Sequence, residues 1–188
     1  SPSHCFEIAQ VAVHIAIKYM TPVMILSDAY LASASEPWLI PDISKIKENP
    51  VSFAEYEENF MPFKRDSVTL ARKWVKPGTK GMEHRIGGLE KDSSSGNISY
   101  DPENHQEMTN LRTKKIKNIQ NELNEINITG LENGDLLVIG WGSTNGPISE
   151  AQEQLSNKGY KISHVHVSCL WPISERLKSL ASQFKSII

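Results

Sequence analysis

Between an apolar run at 135–140 and a segment of helical composition lies Gly140-Trp141-Gly142-Ser143-Thr144-Asn145-Gly146. At such a strand-to-helix junction the first-turn amides have no intrahelical acceptor, and they point into the loop with the positive end of the helix dipole. Glycines let an anion approach the backbone, and short donors strengthen its grip. Gly142, Ser143, Thr144 and Asn145 are therefore the candidate cofactor-binding residues, for a phosphate or similar anion. The loop lacks the lysine of a Walker loop and the spacing of a dinucleotide fingerprint. A tight turn with a polar helix cap would use the same residues, and both readings stand.

Glu83-His84-Arg85 offers an acid, a titratable base and a carboxylate-binding fork inside a glycine-rich stretch, 81–91. These three are candidates for contact with a substrate or a partner; the alternative is a surface loop tied by a Glu83–Arg85 pair. His164 and His166 share a face if 160–168 is a strand, and a His-x-His pair can supply two metal ligands. No third ligand stands at a telling spacing, so a packed histidine pair is the expectation and no metal site is assigned. Ser27-Asp28 follows an apolar run, but without the glycines of a nucleophile elbow it reads as a loop cap. No catalytic residue can be named.

The elements that would position these groups alternate. Ser3 is a plausible N-cap for a helix reaching Thr21-Pro22, with Glu7, Gln10, His14 and Lys18 as a narrow polar stripe on a helix otherwise buried. Val23-Met24-Ile25-Leu26 reads as an interior parallel strand. From Ile43 to Lys80, prolines and scattered aromatics (Phe53, Tyr56, Phe60, Phe63, Trp74) suit a connector lying across a partner surface. Asp101-Pro102 opens a helix to about Ile126; a strand at 135–140, a helix at 148–158, a strand at 160–168 and a helix from Ser174 through Phe184 follow. Helix and buried strand in alternation indicate an α/β fold. No internal repeat is evident, and Ser93-Ser94-Ser95 reads as a loop tip.

With 188 residues, a net charge of −2 and 39% apolar residues, the composition is that of an ordinary globular protein, and no charge excess points to nucleic acid or an anionic membrane. Lys114 and Lys115 read as a solvated helix face. Two isolated cysteines, Cys5 and Cys169, suggest a reducing compartment and cannot ligate an iron–sulfur cluster alone. The apolar stretch 8–26 is interrupted by polar residues and does not read as a membrane span, and no signal peptide is recognisable, so the cytoplasm is expected. The start at Ser1-Pro2-Ser3 and the finish at Ile187-Ile188 suggest an internal segment of a longer polypeptide.

Two long stretches, Gly81-Met82-Glu83-His84-Arg85-Ile86-Gly87-Gly88-Leu89-Glu90-Lys91 and Gly96-Asn97-Ile98-Ser99-Tyr100-Asp101-Pro102-Glu103-Asn104-His105, together with 27–32 and 35–38, resemble the alpha subunit of 2-oxoacid:ferredoxin (or other acceptor) oxidoreductases, most similar to the 2-oxoglutarate type. The resemblance runs to about Pro172. It implies the end of a thiamine-enzyme pyrimidine-binding domain at 1–42, a connector at 43–127, and from 128 to 188 the start of a domain like the transketolase C-terminal one. The implied reaction is oxidative decarboxylation of a 2-oxoacid to acyl-CoA and carbon dioxide. Implied cofactors are thiamine diphosphate with Mg, at a site shared with a beta subunit, coenzyme A as co-substrate, and an iron–sulfur cluster on a partner. Ferredoxin or flavodoxin would accept the electrons. The cofactor-activating glutamate and the residues that hold the substrate carboxylate would lie upstream of Ser1. A non-catalytic assembly or coenzyme A-binding module and a beta-type component of a 2-oxoacid dehydrogenase remain alternatives, the latter disfavoured by the 81–105 motifs.

Overall fold

Asn133-Gly134 turns the chain into an apolar run, and in the computed structural model, which describes residues 1–46, 48–123 and 126–188, that run is strand β2 (Gly134–Trp141). Ahead of it lie helices α1 (Pro2–Tyr19), α2 (Ala29–Ser33) and α3 (Pro102–Asn118) and the short strand β1 (Ile128–Thr129). Helix α4 (Asn145–Asn157), strand β3 (Ile162–Val167), helix α5 (Glu175–Ala181) and strand β4 (Phe184–Ile187) follow. The sheet order is β1-β3-β2-β4, with β3 and β4 parallel to β2 and β1 antiparallel to β3. Parallel neighbours require a crossover, which α4 and α5 supply. The α/β class expected from the sequence is the one observed.

The chain divides into two units. The first contains Ser1–Ala9, Ile25–Leu39 and Leu123–Ile188, and therefore the whole sheet. Its register sets Val138 opposite His164 and Gly140 opposite His166, so these four share one face. Leu137, Ile139, Val165 and Val167 share the other and pack with Leu177, Leu180, Ala181 and Phe184, where Leu137 and Val165 are fully out of solvent. The last helix stops at Ala181, short of the expected Phe184, because Phe184 enters β4 and buries its ring in that core.

The second unit contains Gln10–Met24 and Ile40–Glu122 and has no extended strand among its described residues. Two hairpins built the same way organise it. Asp66 accepts from the Val68 and Thr69 amides and the Thr69 hydroxyl; Asp92 accepts from the Ser94 and Ser95 amides and the Ser95 hydroxyl. Each aspartate's own amide donates to a carbonyl five residues on, that of Ala71 or Asn97. The residue four positions on takes a left-handed φ, Leu70 (56°) or Gly96 (74°). Antiparallel bridges, Arg65 with Arg72 and Lys91 with Ile98, close the two hairpins. The two hairpins share backbone geometry with few side chains in common, which is a recurring turn type and not an internal repeat.

Other expectations give way as well. Val23 to Leu26 forms no strand, because no described strand pairs with it, and Met24 and Leu26 are exposed. Ser3 is not the N-cap of α1: Pro2 already occupies the first helical position, where its missing N–H is harmless, and the Ser3 amide donates to Glu36 Oε1 at 2.5 Å. On the polar stripe of α1, Glu7 and Lys18 are exposed, with Lys18 bonding Glu122 (2.6 Å) and His14 bonding Asn49 (2.7 Å). The helix is less buried than expected, since Phe6 and Val13 are exposed too. Helix α3 opens where expected, with Asp101 accepting from the Glu103 amide, but passes into a 3-10 turn at Ile119–Glu122; of its expected tail, 124 and 125 lie outside the described residues. In the connector, Phe63, Leu70, Ala71 and Met82 are buried and the Trp74 indole donates to the Ile17 carbonyl at 2.9 Å, while Phe53 and Tyr56 stay exposed. Lys114 is exposed as expected, but Lys115 is half-buried and donates to the Met20 carbonyl.

Candidate functional site

Gly140 is the pivot of the strand-to-helix junction. A Cβ there would sit 2.5 Å from Ile148 Cδ1 and 3.3 Å from His164 Nε2, so glycine lets Ile148 of α4 pack against the strand without shifting. After Trp141 the chain makes a 3-10 turn at Gly142–Thr144, with Gly142 at φ 64°, and α4 begins at Asn145. The Thr144 hydroxyl donates to the Trp141 carbonyl at 2.7 Å and is thereby committed to the turn. Asn145 and Gly146 are exposed at the start of the helix.

A carboxylate already addresses this loop. Asp28 caps α2 by accepting from the Leu31 amide at 2.8 Å, and its Oδ2 stands 3.6 Å from where a Cβ on Gly142 would be. The Leu31 amide first, then the Ser143 hydroxyl and amide, hold the Asp28 carboxyl below the usual range. Sequence reasoning assigned Asp28 to a cap and Ser143 to an anion site but did not join them, since a separation of 115 residues (143 − 28) hides the contact. The loop closes a turn through Thr144, and Ser143 faces the Asp28 carboxylate supplied by the chain itself.

His164 and His166 do lie on one face, with ring centroids 6.1 Å apart. Ser149 from α4 meets His164 Nδ1 at 3.2 Å, whereas no described residue bonds His164 Nε2 or His166 Nδ1. Burial pushes both imidazoles down, His166 further through the charges of His164 and His4, which favours the neutral rings. Among the described residues no three histidine, cysteine or carboxylate side chains converge as metal ligands.

The glycine-rich stretch is held by its own side chains. Glu83 Oε2 accepts from the Gly81 amide (2.8 Å), His84 Nδ1 meets the Met82 carbonyl (2.9 Å), and the Arg85 guanidinium lies against Gly88. Glu83 and Arg85 form no ion pair with each other, so the expected tie is made through the backbone. Lys91 is buried, and its ammonium donates to the carbonyls of Gly87 (3.0 Å) and Leu89. Asn104 joins the hairpin to α3, donating to the Lys91 carbonyl and accepting from the Ser93 amide. Glu90 pairs with Arg112 and His105, which hold its carboxyl below the usual range. The buried role of Lys91 carried no sequence signal, because a lysine in a polar loop normally faces water.

A thiamine diphosphate site needs a divalent cation for the diphosphate and a carboxylate against the aminopyrimidine. The described residues provide no metal-ligand cluster, so no cofactor step is assigned to residues of this chain.

Comparisons with known proteins give one consistent picture. The family model for pyruvate flavodoxin/ferredoxin oxidoreductase, thiamine diphosphate-binding, matches residues 1–104. Along all of its length the chain is 44% identical to 2-oxoglutarate oxidoreductase subunit KorA of Mycobacterium tuberculosis, covering 29% of that protein. It is 23% identical over 93% of its length to the 2-oxoglutarate synthase subunit KorA of Methanothermobacter marburgensis, covering 46% of it. A solved structure of 2-oxoglutarate:ferredoxin oxidoreductase from Magnetococcus marinus, with 2-oxoglutarate, coenzyme A and succinyl-CoA bound, superposes on 93% of the chain and 30% of its own with a TM-score of 0.82 at 25% identity. The chain thus spans less than half the length of these relatives.

Proposed function

The chain belongs to the pyruvate flavodoxin/ferredoxin oxidoreductase family, and from that premise we propose that it works as part of the alpha subunit of an enzyme that oxidatively decarboxylates 2-oxoglutarate. The observation that carries the reading is similarity to a 2-oxoglutarate oxidoreductase subunit along the whole chain. Thiamine diphosphate, with Mg, supplies the carbon chemistry when bound; a beta subunit shares that site, an iron–sulfur partner takes the electrons, and ferredoxin or flavodoxin accepts them in the cytoplasm. No helix of the described residues is long and apolar enough to cross a membrane. In this reading 1–42 ends a pyrimidine-binding domain, 43–127 connects, and 128–188 begins a transketolase C-terminal-like domain. Glu83, His84 and Arg85 then face substrate or partner from a loop kept in shape by Lys91. The test is 2-oxoacid-dependent reduction of an artificial acceptor by the assembled enzyme. Turnover with 2-oxoglutarate is expected, and the reading fails if no 2-oxoacid supports reduction.

Gly142, Ser143, Thr144 and Asn145 are proposed to receive a phosphate of coenzyme A. What supports this is the N-terminus of α4, which begins at Asn145, with the Asp28 carboxylate competing for the Ser143 donors. Because Ser143 is engaged by Asp28 and Thr144 by Trp141, the amides and side chain at Asn145 are the donors left to such a phosphate. Asn145→Asp puts a negative charge there while suiting a helix start. It is expected to raise the KM for coenzyme A roughly tenfold, a cost of about 1.4 kcal/mol, with acceptor reduction in the half-reaction unchanged. Equal effects on both steps, or none, would leave the loop a turn only.

A further inference from the structure

Half-buried cations in the second unit gather without a carboxylate. Arg65 directs Nη1 to the Leu70 carbonyl (3.1 Å) and Nη2 to Met108 Sδ (3.9 Å), and its Nε is out of solvent with no acceptor among the described residues. Arg72, bridged to Arg65 across the first hairpin, lies with its guanidinium carbon 4.4 Å from the centroid of the Phe63 ring and bonds to no described oxygen. Lys115 reaches over from α3 and donates to the Met20 carbonyl at 3.1 Å. Its amine is pushed down to about 8, by burial first and then by the charges of Arg65 and Arg72. Burial also lowers Arg72, and burial with Arg72 and Arg112 lowers Arg65.

Several other cations of this unit have a carboxylate, Lys18 with Glu122, Lys73 with Glu57 and Arg112 with Glu90, while the buried Lys91 stands alone on carbonyls. Among the described residues only Arg65, Arg72 and Lys115 combine burial with one another's like charge. Asp66, the carboxylate next in sequence to Arg65, is used by the hairpin amides. Withdrawing several like charges from water with only carbonyls as partners is unfavourable unless a counter-charge joins them. Lys115 was expected to be solvated, and the fold instead brings it beside two arginines.

We propose that Arg65, Arg72 and Lys115 form a binding site for a phosphate-type dianion. A single carboxylate would neutralise one of the three charges, whereas a phosphate monoester carries about −1.5 to −2 at neutral pH and offers three acceptor oxygens. Guanidinium forks match two of those oxygens at once, and an ammonium takes the third as a point charge. Loop 142–146 belongs to the other unit, so the two sites are separate in chain and in chemistry. The group could come from free phosphate or from a phosphate carried by a larger ligand.

The experiment follows the Lys115 amine by NMR in the intact protein after 13C reductive methylation, with the resonance assigned by Lys115→Arg. Inorganic phosphate is titrated in, against acetate and sodium chloride at matched ionic strength. Phosphate is expected to raise the Lys115 pKa from about 8 toward its ordinary value, with acetate doing much less. Arg72→Gln should weaken the apparent phosphate affinity roughly tenfold. An unchanged Lys115 titration in phosphate overturns the site, and an equal shift in acetate overturns the dianion assignment in favour of a carboxylate. Should Arg72→Gln fail to fold, the wild-type titration decides alone. A small metabolic phosphate is indicated if phosphate saturates the response. If only pyrophosphate, tested as a second probe, does so, the group belongs to a larger ligand.

Discussion

The sheet unit and the hairpin unit hold their chains by different means. In the sheet, β2 pairs along its length with β3 and in part with β4, and the side chains between strands and helices supply an apolar core around Leu137 and Val165. In the hairpins a single bridge closes each loop, and an aspartate replaces the ladder by gathering two amides and a hydroxyl. The hairpins are also unlike each other at one point: Gly96 occupies the left-handed position without strain, while Leu70 occupies the same position with a side chain and is buried. Main-chain pairing tolerates many sequences. An aspartate-centred loop depends on one carboxylate and one backbone conformation, so it concentrates sensitivity in a few residues.

The largest difference between the units should come from the sheet core. Leu137→Ala removes a fully buried side chain from a site walled by strand and helix, and is expected to cost about 2–5 kcal/mol. Thermal or urea unfolding followed in the sheet unit checks this. A loss below 1 kcal/mol, the surface value, would mean the core relaxes as freely as a loop.

Gly96→Ala tests whether the second hairpin is as rigid as it looks. The new Cβ would stand 2.6 Å from Phe63 Cδ2 at a φ of 74°, so a loss of about 1–3 kcal/mol is expected from strain and contact together. Hydrogen exchange at the Phe63 amide, which donates to the Ser94 carbonyl, reports the local opening. The partner experiment, Leu70→Gly, relieves the backbone but empties a buried position, so the two substitutions should not be equivalent despite the matching geometry.

The smallest effect is the acid response of the hairpins. Backbone amides first, with the hydroxyl of Thr69 or Ser95, hold the Asp66 and Asp92 carboxyls below their usual value. A folded-state pKa below the unfolded one gives stability that is complete above about pH 4 and fades as pH falls through the lowered value. Asp66→Asn with Asp92→Asn should flatten that acid limb and cost on the order of 1 kcal/mol at neutral pH, since both carboxylates are largely solvated. Unfolding midpoints between pH 2 and 7 read this directly, and an unaltered acid limb would place the acid sensitivity elsewhere.

Much of the sheet unit was legible from local pattern. The Asn133-Gly134 turn, the apolar run of β2, the polar cap Ser174 and the alternation in β3 all speak within a few residues, and each element lies within a few positions of its expected bounds. Val23 to Leu26 misled for the converse reason: an apolar run is necessary for a buried strand, but only a neighbouring strand makes it one. The hairpins went unseen because their regularity lies in backbone angles and in hydrogen bonds to two aspartates, not in apolar periodicity. Of the candidate site, the loop's type and the shared face of His164 and His166 were readable; the Asp28 contact, the burial of Lys91 and the meeting of Lys115 with Arg65 and Arg72 were not.

By itself the sequence determined the class of fold, the order of strand and helix after residue 130, and the kinship carried by 81–105. These depend on periodicity, turn chemistry and motif, which act over short distances along the chain. Only the tertiary structure decided which charges are shared and which are left over: Asp28 with Ser143, Glu90 with Arg112, and three cations with no carboxylate among them. Charge interactions depend on separation in space and on what solvent remains between the groups, and neither quantity is written in the order of residues.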